Sequence, residues 1–167
     1  MKNYLPLIGF SLLTSLFIYV FYRTEKTIVN QLVIRLFSKE SWQHWKTIVN
    51  EALPLRETIV YSLPEGLWVF CITLTSRFFR LSVFGYRIDV ALVPILLAVT
   101  MEICQLLHLG NGRFDPMDLL IAALFWWVAY VFADTTEEKR ELRLRRDFNS
   151  LSCMFFYGIV YLAHVIK

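Results

Sequence analysis

The chain has 167 residues, of which 57% are hydrophobic and 19% charged, with a formal net charge of +3 and a mean hydropathy of +0.51. Soluble domains average roughly 45–50% apolar and about 25% charged residues, so this composition excludes a disordered segment, a disulfide scaffold, a collagen-like fibre and an ordinary soluble enzyme. The small, dispersed positive charge excludes a nucleic-acid footprint, and the expected class is an all-α integral membrane protein forming a single membrane domain.

The first apolar run, Leu5–Tyr22 after Lys2, is longer than a signal-peptide core of about 7–15 residues, and no small-x-small cleavage site precedes Arg23. It reads as a retained span over 4–22. A polar connector over 24–56 comes next. Within it Ile28, Leu32, Leu36 and Val29, Val33, Phe37 recur at spacing four, opposite Asn30, Gln31, Arg35 and Ser38. That is an amphipathic helix. Trp42, Trp45, Ile48, Val49, Ala52 and Leu53 mark a second, and tryptophan there fits either a helix lying in the bilayer interface or a packed cap outside the membrane.

A second span is expected over 62–79. Ser62-Leu63-Pro64-Glu65 has the form of a capping box, Ser62 accepting from the Glu65 N–H. Arg77, Arg80 and Arg87 crowd the turn before a third span over 90–109, with Pro94 near its start. Asp115-Pro116-Met117-Asp118 opens a fourth, 117–133, with Asp115 as N-cap, Pro116 at the first helical position and Asp118 at the third. A charged connector, 134–148, holds one favourable i,i+4 pair, Glu141 with Arg145, and leads to a fifth apolar stretch over 150–166. The expected architecture is therefore a polytopic transmembrane bundle of four to five spans with one or two amphipathic interfacial helices after the first.

With five spans, nine Lys and Arg side chains fall on one membrane side and eight on the other. The nine are concentrated in short loops and the eight spread along the long connector, which places the N-terminus in the cytoplasm by the positive-inside rule.

This topology brings the start of the second span, the end of the third and the start of the fourth to one membrane face, so Glu65, Glu102, Gln105, His108, Arg113, Asp115 and Asp118 share one end of the bundle. Glu102 and Gln105 project from one helix face. Insertion scales put the cost of a carboxylate at mid-span at about 2.5–3.5 kcal/mol, which makes an intramembrane Glu a functional candidate. The ordinary alternatives are that Glu102 pairs with Arg113 or is protonated and locks helices together, that Asp115 and Asp118 merely cap, that Arg113 snorkels to the headgroups and that His108 and His164 anchor at the interface. Neither H-x-x-x-H nor C-x-x-C occurs, so no metal and no cofactor is expected; a hard cation on Glu65, Glu102 and Asp115 is the one carboxylate arrangement to consider. Cys71, Cys104 and Cys153 lie in apolar runs and read as small buried hydrophobes. There is no G-x-S-x-G elbow or phosphate-cradling glycine loop.

Glu102-x-x-Gln105, a short loop, then Gly112-Arg113-x-Asp115-x-x-Asp118 entering an apolar helix resembles the signature of the VanZ-like membrane proteins, whose founding member is linked to teicoplanin resistance. The resemblance covers about residues 64–132 and carries over Glu102, Gln105, Arg113, Asp115 and Asp118. It departs on the fourth span, where the family usually shows an Asn and then a Gly and this chain reads Ile121-Ala122-Ala123-Leu124-Phe125. It implies a small membrane bundle of the bacterial cell envelope and plasma membrane, with a theme of antibiotic resistance and no established reaction. The functional expectation is recognition of an anionic lipid-linked or glycopeptide-related headgroup, Glu65 joining those five residues as ligand-binding candidates. Whether a bond is made or broken stays open. The competing expectation is a non-catalytic structural or assembly subunit. The expected partners are the lipid bilayer, such a headgroup and other membrane proteins, with no nucleic acid.

Overall fold

The computed structural model describes residues 4–83, 86–109, 113–132, 140–141 and 148–165. The chain is mostly helical, as expected. Among the described residues it forms α1 (Leu5–Tyr22), α2 (Ile28–Phe37), α3 (Lys39–Ala52), α4 (Glu57–Ser76), α5 (Val93–Leu106), α6 (Pro116–Phe132) and α7 (Phe148–Val165). Of these, α1 and α4 are long and apolar enough to cross a membrane, while Val90–Leu106 and Pro116–Phe132 are apolar but shorter.

The centre of the molecule is α4, which packs on α1, α5, α6 and α7. Small residues let α6 approach it closely: a Cβ at Gly66 would come within 2.7 Å of Ile121 Cγ2 and of the Phe125 ring. Beside this contact Val69 clusters with Ala98 and Ala122, and Leu74 with Ala129 and Ile8. The matching order along both helices means α4 and α6 run parallel, with α5 antiparallel between their connections. The Trp126 indole N–H closes the α5 side by donating to the Ala91 carbonyl at 2.7 Å, and the Trp68 indole ties α4 to Ser15 of α1 at 2.7 Å.

Two local expectations are corrected. The helix expected as the second span begins at Glu57, five residues before Ser62, so Ser62 and Glu65 lie inside it and form no capping box; Ser62 is buried with its hydroxyl unpartnered. Pro64 is therefore an interior proline, which removes a backbone N–H and crowds the preceding turn. One turn away the Arg23 guanidinium of the neighbouring chain segment donates to the Tyr61 carbonyl at 3.1 Å, tying the end of α1 to this part of α4.

This helix also ends at Ser76, and the chain beyond it forms strands in place of a plain turn. Phe79–Val83 (β1) pairs antiparallel with Tyr86–Asp89 (β2), and Arg140–Glu141 (β3) pairs parallel with β1. The reason is a change of period: Phe79 is buried, Arg80 exposed, Leu81 half-buried and Ser82 exposed, which is alternation by two. Phe79 then packs with Val90 and Cys153, joining the hairpin to α7. Apart from β3, Phe148 and the exposed Glu141, the expected charged connector lies outside the described residues, as do Gly112 and the Glu141–Arg145 pair.

The end of α1 is closed by α2 and α3 in a way the amphipathic pattern did not announce. A helix leaves its last four carbonyls without intrahelical donors. Here Asn30 Nδ2 donates to the carbonyls of Tyr19, Arg23 and Thr24. The Trp42 indole donates to Val20 at 3.0 Å, Asn50 to Phe21 at 2.9 Å and Lys46 to Arg23 at 2.7 Å. Asn30, expected on the outer polar arc, is thus fully buried.

Candidate functional site

Three helices bring three carboxylates together at the end of the bundle where α1 and α5 finish and α4 and α6 begin. Glu65 of α4, Glu102 of α5 and Asp118 in the first turn of α6 each offer an oxygen, and these lie within 4.8 Å of one another. Glu102 is the most enclosed, at 2% exposure, while Glu65 and Asp118 are half-buried.

The local structure fixes this arrangement from both sides. The close of α5 is a Schellman motif: His108 adopts φ 55°, its N–H meets the Gln105 carbonyl at 3.1 Å, and the Leu109 N–H meets the Cys104 carbonyl at 2.8 Å. Histidine takes the left-handed position that glycine usually fills. At the start of α6, Asp115 Oδ1 accepts from the Met117 N–H at 2.9 Å and Pro116 opens the helix, as the sequence predicts. The two ends are joined by one bond, the Asp115 N–H donating to Glu102 Oε2 at 3.1 Å.

Of the six ligand-binding candidates, then, the structure gathers Glu65, Glu102 and Asp118. Asp115 is exposed and serves as the cap beside them. Gln105 stands half-buried one turn beyond Glu102, and Arg113 is exposed in the connection between α5 and α6. Among the described residues Glu102 and Arg113 form no ion pair; the Asp115 backbone takes the place expected for the arginine. For the carboxylate set, Asp118 stands where Asp115 was expected.

The cation missed by sequence reading is Arg23. Its guanidinium lies 4.5 Å from the Tyr61 ring centroid and 5.1 Å from that of Tyr19, one turn from Glu65 on α4. No local motif marks it. The helix order does, because α1 and α4 pack antiparallel, so the end of α1 lies beside the first half of α4.

Two unit charges about 4 Å apart repel by about 4 kcal/mol at an effective dielectric near 20. Three carboxylates this close therefore favour whatever brings them positive charge or hydrogen-bond donors: an ammonium, a cluster of hydroxyls or a hard cation, the last a natural match for oxygen ligands. Asp118 Oδ1 is buried without a hydrogen-bond partner, so the set retains unused accepting capacity.

Outside the apolar helices, burial pulls the Lys46 ammonium below its usual range where it approaches the Arg23 carbonyl. Glu25, on the surface 2.8 Å from Lys39, is held below the ordinary carboxylate value by that hydrogen bond and charge. No protein-family model matches the chain, and no curated protein or solved structure does either.

Proposed function

We propose that this chain is a VanZ-like integral membrane protein of the bacterial cell envelope, with four to five spans and a cytoplasmic N-terminus, that recognises the charged headgroup of a lipid-linked ligand. The observation that carries this reading is the meeting of Glu65, Glu102 and Asp118, from three helices, within 4.8 Å of one another. Carboxylates so enclosed are costly in a membrane and are retained where they serve a site. In this reading they accept from hydroxyl or ammonium donors on the headgroup, while Arg113 and Arg23 pair with its phosphate or carboxylate. The site gives no reason to assign a reaction.

The test is the lipid that travels with the protein. Wild-type protein purified in mild detergent is expected to carry a phosphate-bearing lipid with a sugar or amine headgroup, seen by mass spectrometry. Glu102→Gln and Arg113→Ala should each deplete it at least tenfold while melting within two or three degrees of wild type. Identical lipid profiles in all three would overturn the proposal.

The Asp115–Glu102 hydrogen bond favours a second reading, in which Glu102 is an architectural clamp between α5 and α6 in an assembly subunit. That reading expects Glu102→Gln to lower the melting temperature by several degrees and to break a co-purifying complex, with no selective lipid loss.

A further inference from the structure

Asn30 of α2 and Trp42, Lys46 and Asn50 of α3 point inward, onto the end of α1, while several apolar side chains of both helices stay outside. Leu36 is 75% exposed, Leu32 and Phe37 are each 54%, Ile48 is 49% and Trp45 is 40%. Leu32 and Leu36 neighbour each other on α2 and Trp45 and Ile48 on α3, and at the end of α2 the Phe37 and Trp45 rings meet edge to face at 5.3 Å and join the two helices there.

The pattern around each helix has three sectors rather than two. On α3, Trp42, Lys46 and Asn50 face the protein; Trp45, Ile48 and Ala52 form the neighbouring exposed stripe; Glu40, Gln43, His44, Thr47 and Glu51 fill the remaining exposed arc. On α2, Asn30 faces the protein, Leu32 and Leu36 are exposed on one flank, and Gln31 and Arg35 are exposed on the other. A helix resting on protein alone and otherwise surrounded by water needs only two sectors. Three are needed by a helix that touches protein, hydrocarbon and water together.

We propose that α2 and α3 form a platform lying in the headgroup–acyl boundary of the bilayer, with Leu32, Leu36, Phe37, Trp45 and Ile48 inserted toward the acyl chains. Three observations select the bilayer as the occupant. The platform hangs by its polar side chains from the last carbonyls of α1, a helix long and apolar enough to span, so it sits where such a span must leave the hydrocarbon. Its surface is continuous with the exposed apolar side of α1: Phe17 meets Tyr22 at 6.1 Å, and the Tyr22 hydroxyl donates to the Leu53 carbonyl at the end of α3 at 2.6 Å. It also presents an exposed tryptophan beside aliphatic side chains, the composition favoured at membrane interfaces. One consequence concerns the residue nearest the start of α4: the Arg23 carbonyl accepts from Asn30 and Lys46 of this platform, while its guanidinium reaches the Tyr61 carbonyl.

The inference rests on reading α1 as a span, and one experiment separates the two. Full-length protein in which Cys71, Cys104 and Cys153 are replaced by serine or alanine carries a single spin label at residue 13, 36, 48 or 51 and is reconstituted in phospholipid nanodiscs. Collisions with oxygen, which partitions into hydrocarbon, are compared with collisions with a water-soluble nickel chelate. At Leu13→Cys, Leu36→Cys and Ile48→Cys oxygen should relax the label several-fold more than nickel, and at Glu51→Cys the order should reverse. Nickel access at 36 and 48 with oxygen access at 13 would overturn the platform and leave the span standing; nickel access at 13 would overturn both. Protection of 36 and 48 from both reagents would show them covered by protein, a second copy included, and would also overturn the proposal.

Discussion

The two helices most able to cross a membrane, α1 and α4, are opposites in how they are used. The more apolar, α1, with a mean hydropathy of 1.9, is only 22% buried in the protein, whereas α4, at 1.3, is 61% buried. In water the order would be reversed. Where α1 does meet the protein it uses Ser11 and Ser15 beside Ile8 and Ile18, and it leaves Phe10, Leu13 and Leu16 outside. Buried within α4 are Ser62, Gly66, Cys71, Thr73, Thr75 and Ser76. Lipid is as apolar as leucine, so hydrocarbon does not drive leucine inward; close approach of small residues and hydrogen bonding decide which face is internal. The comparison teaches that in α1 the small polar residues mark the protein-facing side, whereas in α4 polar and apolar residues are buried together.

The largest effect should come from breaking the inner side of that comparison. Gly66→Leu places a branched side chain where even a Cβ meets Ile121 and Phe125 at 2.7 Å, and overpacking of this kind costs about 1–3 kcal/mol. We expect the melting temperature in detergent to fall by several degrees; an unchanged melt would mean that α4 and α6 are not in contact at this point.

A local effect of similar origin is expected at the end of the outer helix. Asn30→Leu removes the donor shared by the Tyr19, Arg23 and Thr24 carbonyls, and leaving buried acceptors without partners costs about 1–3 kcal/mol. Amide hydrogen exchange should accelerate near the end of α1 and in α2 while α4 and α6 keep their protection. Uniform acceleration throughout would show that the cap is not a separable unit.

The smallest effect belongs to the surface pair just beyond α1. The carboxyl of Glu25 lies below its ordinary value of 4.5 because Lys39 donates to it and stabilises its charge. A depressed carboxylate contributes stability above its unfolded value and loses that contribution as the pH falls through its folded value. An NMR titration should find the Glu25 midpoint below 4.5 in the native protein and closer to it after Lys39→Gln. A midpoint at or above 4.5 in the native protein would dissolve the pair as an interaction of any consequence.

The sequence by itself determined that the chain is mostly helical and apolar, that Asp115 and Pro116 start α6, and that Glu65, Glu102 and Asp118 belong to one end of the bundle. Those come from composition, local capping chemistry and the up-and-down order of apolar runs, none of which needs a neighbouring helix. Only the tertiary structure decided that Ser62 lies inside α4, that Phe79–Val83 turns to a strand, that Asp118 rather than Asp115 joins the carboxylates, and that Asn30 faces inward. Each of these depends on a partner in another element of the fold. Ser62 is buried where α4 packs on its neighbours, β1 exists by pairing with β2 and β3, Asp115 turns its carboxylate to the Met117 N–H and its own N–H to Glu102, and Asn30 is drawn to carbonyls that α1 cannot satisfy. A periodic pattern reports which side of a helix is polar, but unsatisfied backbone groups elsewhere decide which way that side turns.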